Sequence, residues 1–137
     1  MFRTTVIPRF GDFDGLKHAN NISIAIWFEQ ARTPIFRIFT PDLDLSYENW
    51  KLIMARTEYE YVGEMFLGPD VEIITYISRI GNSSFVVTQE AWQDDRKGAI
   101  GRSTIVHYDF INKTSVPLPD EIRKELEKHF KEEEQNK

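Results

Sequence analysis

The chain has 137 residues, with 17 Lys and Arg against 22 Asp and Glu for a formal net charge of −5, and it has no cysteine. That length suits one domain with a buried core, and the missing cysteines exclude disulfides, thiolate metal ligands and a thiol nucleophile. An acidic chain without a basic stripe argues against a nucleic-acid binder. No apolar run approaches the roughly 18 residues that span a bilayer, and the start of the chain lacks a signal-peptide core, so the cytoplasm is the expected location.

Phe2, Thr4, Thr5, Val6 and Ile7 are β-prone, and Pro8 closes that strand. A polar segment follows, Asp12-Phe13-Asp14-Gly15-Leu16-Lys17-His18-Ala19-Asn20-Asn21, and then the apolar residues Ile22, Ile24, Ala25, Ile26, Trp27 and Phe28. This order predicts a polar loop feeding a helix that begins near Asn20. The helix is apolar nearly all round and is therefore expected to be buried, with Trp27, Phe28, Phe36 and Phe39 in the core. Pro34 removes a backbone donor and predicts a kink or break, and Thr40-Pro41-Asp42 ends the element.

The pattern then changes to strands. Residues 51–62 alternate in their second half, 71–80 are β-branched, 84–92 pair back across the Gly81-Asn82 turn, and 99–111 follow a loop at 94–98. Short turns between the last three predict an antiparallel meander. Pro119-Asp120-Glu121 opens a C-terminal helix with Ile122, Leu126 and Phe130 on its apolar face. Residues 1–130 read as one domain and 131–137 as a frayed, solvated tail. His107 and His129 read as strand-surface and helix-surface residues, and the three histidines form no metal-ligand pattern. The expected class is α+β, an antiparallel sheet wrapped around a long central helix. Joining two sheets edge to edge in a dimer would cover the rest of the helix.

A carboxylate beside a helix N-terminus is a hydrolytic arrangement, because the helix end stabilises negative charge. Asn20 is a good N-cap type, which leaves the Asn21 amide free as an oxyanion donor. Asp12 reads as support for the turn. His18 has three open roles: orienting substrate, donating to a carbonyl, or serving the structure. Glu29 and Arg32 are three apart on one helix face and are expected to pair.

Phe10-Gly11-Asp12-Phe13-Asp14, His18-Ala19-Asn20-Asn21 and Phe28-Glu29-Gln30-Ala31-Arg32 together resemble the hot-dog-fold thioesterases of the 4-hydroxybenzoyl-CoA thioesterase type. The family pattern is an aromatic residue, D-x-D, G-H-V-N-N and F-E-x-A-R, and the likeness covers roughly residues 3–112. It departs at Lys17, where the family usually has Gly. A bulky residue there resembles the acyl-ACP thioesterase branch.

The resemblance implies a hot-dog fold and hydrolysis of an acyl-CoA by Asp14, acting as nucleophile or as base for water. It implies Glu29 as a runner-up carboxylate and a nucleotide site near Arg79, Asn82, Ser83 and Ser84. Coenzyme A is then part of the substrate, and no separate cofactor is expected. The expected assembly is a homodimer or a dimer of dimers. The alternatives are an acyl-ACP thioesterase and a non-catalytic acyl-thioester-binding protein.

Overall fold

The β-branched and aromatic runs form strands and the Gly, Pro and Asn positions end them in the computed structural model, which describes residues 1–134. In chain order the elements are β1 (Phe2–Val6), a 3-10 turn (Phe10–Asp12), α1 (Asn21–Ala31), α2 (Thr33–Phe39), β2 (Leu52–Tyr61) and β3 (Val71–Ile80). They continue with β4 (Ser84–Gln93), β5 (Arg96–Asp109), β6 (Thr114–Ser115) and α3 (Asp120–Glu127). The strands form one antiparallel sheet in the order β1-β3-β4-β5-β2, and β6 adds a short pair to β5. Residues 71–109 are the expected meander. Irregular register after Met54, Ile77 and Ala91 bends the strands and curls the sheet.

The curl encloses α1. Ile24, Trp27, Phe28 and Ala31 pack against Val71, Ile73, Ala91 and Ala99, while Ile35 of α2 and Leu126 of α3 close a second cluster with Ile77 and Phe85. This is the hot-dog α+β fold expected from the sequence. Gly101, in the middle of β5, lets helix and sheet meet. A Cβ there would lie 2.9 Å from the Phe28 ring and 3.1 Å from that of Tyr59.

Pro34 breaks the helix as expected: α1 stops at Ala31 and Pro34 falls in the first turn of α2, where a missing N–H leaves no bond unmade. Four expectations need correction. The helix is not buried all round, because the sheet covers one side and leaves Ile22 at 65% and Ile26 at 45% exposure. Arg32 does not pair with Glu29. Its guanidinium turns inward at the negative end of α1 and donates to Gln89 Oε1 and Ser103 Oγ, each at 3.3 Å. Glu29 is left on the exposed face of α1.

The third correction concerns two histidines. His107 is buried under the returning 114–118 segment, with Nδ1 3.1 Å from Val116 O. His129 stands beyond α3 and stacks on Phe2 at 4.1 Å. Last, residues 131–134 are expected in a solvated tail, yet this stretch packs on the sheet. The Ile77 N–H donates to His129 O and the Lys131 N–H to Ile77 O, both at 2.9 Å. The Lys131 ammonium lies over the Tyr76 ring, and Glu133 pairs with Arg102. Residues 135–137 of the expected tail lie outside the described residues.

Candidate active site

The polar segment is a loop closed by its own side chains. Asp12 sits at its base, 2% exposed. Its carboxylate accepts the Arg9 N–H at 2.7 Å and the Arg9 guanidinium at 3.3 Å, and its carbonyl accepts the Asn20 N–H at 2.7 Å. Asp12 is thus the support expected of it. Burial pushes its carboxyl upward in pKa, but the Arg9 N–H, the Arg9 guanidinium and the Ser23 hydroxyl more than reverse this, so it is held below the ordinary value of 3.8.

A depressed folded-state pKa contributes stability that is present above the unfolded pKa and lost as pH falls through the folded one. Asp12→Asn should therefore lower stability at neutral pH by about 1–3 kcal/mol. It should also flatten the loss of stability below about pH 4. Urea titrations across that range read both effects, and an unchanged acid limb would assign the loop's stability elsewhere.

Above this base the chain makes a tight turn. The Asp14 N–H donates to His18 O and the Lys17 N–H to Asp14 O, both at 3.0 Å. The Asp14 side chain serves the same turn with one oxygen, Oδ1, which accepts the Leu16 N–H at 2.8 Å and the His18 N–H at 3.4 Å. Its Oδ2 accepts no hydrogen bond among the described residues, and the residue is exposed. The turn forces Lys17 to φ 65°. A side chain in that left-handed region costs about 1–2 kcal/mol. Lys17→Gly should therefore raise stability by about 0.5–1 kcal/mol in chemical denaturation, after the extra unfolded-state freedom of Gly is subtracted. A loss of stability would mean that the lysine makes compensating contacts.

Asn20 then caps α1, its Oδ1 accepting the Ile22 N–H at 2.9 Å. Among the described residues no acceptor is found for the Asn21 N–H, so an open donor stands at the positive end of the helix. The loop is tied across to the segment after β2. The Ala19 N–H donates to Met65 O at 2.9 Å, and His18 and Phe66 form a bridge. His18 meets the Phe66 ring edge-on at 5.4 Å, with Nε2 3.5 Å from Glu64 Oε1.

Asp14, His18 and Asn21 thus come together. They line a cavity of about 270 Å³ with Tyr61, Glu64 and Met65. Asp14 also borders a neighbouring cavity of about 470 Å³ with Phe10, Phe13, Lys17, Phe66 and Leu67. A free carboxylate oxygen, an imidazole and an open amide around one space, with an apolar space beside it, can hold a carbonyl compound and attack it.

The thioesterase-like superfamily profile matches residues 8–126. The chain belongs to the thioesterase-like superfamily. Thioester hydrolysis is the activity class this membership carries. The superfamily fold is shared with a predicted thioesterase from Bacillus stearothermophilus at 38% identity, covering 97% of this chain and 98% of that one with a TM-score of 0.90. A thioesterase from Thermus thermophilus, complexed with coenzyme A and Zn, is 28% identical over 92% of this chain and 91% of its own, at TM-score 0.78. A Staphylococcus aureus protein in complex with CoA, 14% identical, covers 99% of this chain and 87% of its own at TM-score 0.82 and shows the fold alone. No protein of curated function matches the sequence. No helix of the described residues is long and apolar enough to cross a membrane.

The remaining sequence candidates of this superfamily member lie elsewhere. Arg79, Asn82, Ser83 and Ser84 sit at the β3–β4 hairpin, which α3 and the segment leading into it brace: Arg123 donates to Gly81 O at 2.9 Å and the Leu118 N–H to Asn82 O at 2.9 Å. Asp14 is at the other end of β3, about 30 Å away at a rise of ~3.3 Å per residue, so one chain does not bring them together. Glu29 lines neither cavity. Glu64 and Tyr61 belong to the site, yet they carry no motif. Their only sequence signal is Gly63, whose Cβ would come within 2.6 Å of Lys97 O and which therefore pins the segment to β5.

Proposed function

We propose that the chain is an acyl-CoA thioesterase of the 4-hydroxybenzoyl-CoA thioesterase type. Asp14 acts on the thioester carbonyl carbon, as nucleophile or as base for a water. The Asn21 amide and the positive end of α1 hold the oxyanion that develops. One observation carries this reading: Asp14 commits one oxygen to its own loop and keeps the other free, in a cavity it shares with an amide that has no acceptor among the described residues. One such donor is worth about 2.7–4 kcal/mol of barrier. The aromatic cavity beside Asp14 suits the acyl group. The coenzyme A carried by the Thermus thermophilus relative supports CoA as the thiol.

The nucleotide site follows from assembly. β2 is a sheet edge with almost every residue exposed, Ile53 at 39%, Met54 at 40% and Tyr61 at 53% among them. Such an edge invites a second copy. Antiparallel pairing of β2 with β2 about a two-fold axis sets the Leu52 end of one copy beside the Tyr61 end of the other. Arg79, Asn82, Ser83 and Ser84 lie at the first end, because Leu52 pairs with His107 and Ser84 with Val106. Tyr61 and Asp14 lie at the second. In this homodimer each carboxylate meets its partner's hairpin, and the hairpin's polar groups and Arg79 receive the CoA phosphates.

The test is a panel of acyl-CoA and matched acyl-ACP substrates with free thiol followed by a chromogenic reagent. Thiol release from acyl-CoAs supports the reading, and preference for acyl-ACP would move the carrier. Binding with no thiol release from any member would make the protein a non-catalytic acyl-thioester binder.

A further inference from the structure

We infer that Glu64 is a positioning residue for the hydrolysis: its carboxylate holds the His18 imidazole in one tautomer and one orientation, so that His18 exchanges a proton with the reacting thioester beside Asp14. The inference rests on the thioesterase reading.

The contact is built by two rigid attachments. Behind Glu64, the N–H groups of Val62 and Gly63 both donate to Gly98 O, at 3.0 and 3.2 Å. Ahead of it, Gln93 accepts the Phe66 N–H at 2.8 Å and donates to Phe66 O at 2.7 Å, while Met65 O takes the Ala19 N–H. The backbone at Glu64 is therefore clamped between β5 and the loop that carries His18. The Phe66 edge limits rotation of the imidazole. In this frame Glu64 Oε1 stands 3.5 Å from His18 Nε2, and among the described residues Glu64 has no other ionic partner. Both groups line the Asp14 cavity. A carboxylate facing Nε2 keeps a proton on that nitrogen and leaves Nδ1 for the substrate.

The chemistry needs this proton. When an oxygen adds to a thioester carbonyl, the adduct can expel carboxylate or thiolate, and a carboxylate (pKa about 4) leaves far more readily than a thiolate (pKa about 8.5). Attack by Asp14 would reverse unless the sulfur is protonated as the C–S bond breaks. Protonated His18, ion-paired with Glu64, gives its Nδ1 proton to the sulfur, so free thiol departs and the acyl group stays on Asp14 Oδ2. Water then forms the new C–O bond, passes a proton to Nδ1, and releases the Asp14 carboxylate and the free acid. If Asp14 instead deprotonates water, the thiol still takes its proton from His18, which recovers it from Asp14. Either course consumes one thioester and one water and yields one acid and one thiol.

Glu64→Gln and Glu64→Asp separate this role from a structural one. The side chain is 64% exposed, so neither change disturbs the core. Gln both donates and accepts and selects no tautomer; Asp keeps the charge. On the best acyl-CoA of the panel, kcat of Glu64→Gln should fall roughly 10–100-fold, the usual effect of losing a group that orients a reactive side chain. KM should stay within about twofold, since uniform binding is untouched. Glu64→Asp should recover most of kcat. In parallel, 15N NMR of neutral His18 should show one Nε2–H form in the wild type and a mixture in Glu64→Gln. Wild-type kcat in Glu64→Gln, or an unchanged tautomer signature, overturns the inference. If the wild-type protein releases no thiol from any substrate, the thioesterase reading has failed, and the NMR comparison alone decides the Glu64–His18 pair.

Discussion

Asp14→Asn should lower kcat/KM for acyl-CoA hydrolysis by roughly 10²–10⁴-fold, the usual worth of a positioned acid or base, and leave the fold intact. Asparagine retains a carbonyl oxygen where Oδ1 now accepts the Leu16 and His18 N–H groups, so the turn keeps its acceptor. What disappears is the basic, nucleophilic Oδ2. Asp14→Ala would remove both functions at once and is the poorer probe. Kinetics by thiol release, with melting temperature measured alongside, separate chemistry from stability. If Asp14→Asn turned over within about threefold of wild type, far inside the loss expected of a missing acid or base, the reactive carboxylate would have to be another, and Glu64 is the next one in that cavity.

The second large effect is on stability. Gly101→Val should cost about 3 kcal/mol and lower Tm by roughly 5–10 °C. Phe28 has no exposure at all and stacks on Tyr59 at 5.8 Å, so its ring cannot yield to a Cβ that would stand 2.9 Å away. The remaining response is for α1 to lift from the sheet. That motion would carry the Asn21 amide with it, so residual activity should fall further than the folded fraction explains. Thermal and urea unfolding, paired with activity per folded molecule, measure both parts. Native-like Tm would show that the helix has slack at this contact.

The elements that could be read from the sequence are those whose signals are local. The Gly81-Asn82 turn and the β-branched run 71–80 define a hairpin wherever they occur, and Asn20 ahead of an apolar run announces a helix start. What escaped reading depends on direction or distance. Spacing puts Glu29 and Arg32 on one face, but it does not say that Arg32, at the end of α1, turns inward to Gln89 and Ser103, which are 57 and 71 residues away along the chain. The partnership of Glu64 with His18 has the same character: two separate loops meet because β5 and Gln93 hold one of them in place. The positive φ of Lys17 gives the motif departure a physical meaning, since a glycine in that position would be free of the cost that lysine bears here.

The outer edge of β3 is completed by two distant stretches of chain. β1 pairs with its first half, Thr75 facing Phe2, and the segment around Phe130 bridges to Ile77 just beyond. During synthesis the first of these emerges before β3 does, and the second must wait until residue 131 has left the ribosome. Until then the Ile77 N–H and carbonyl and the Tyr76 ring lack their covering segment. Contacts so far apart in sequence slow folding, and a nascent sheet with an unpaired edge is open to wrong partners. The vulnerable species for this protein is thus the chain made through β3 but not yet through residue 131, and its yield in cells depends on how quickly that last edge closes.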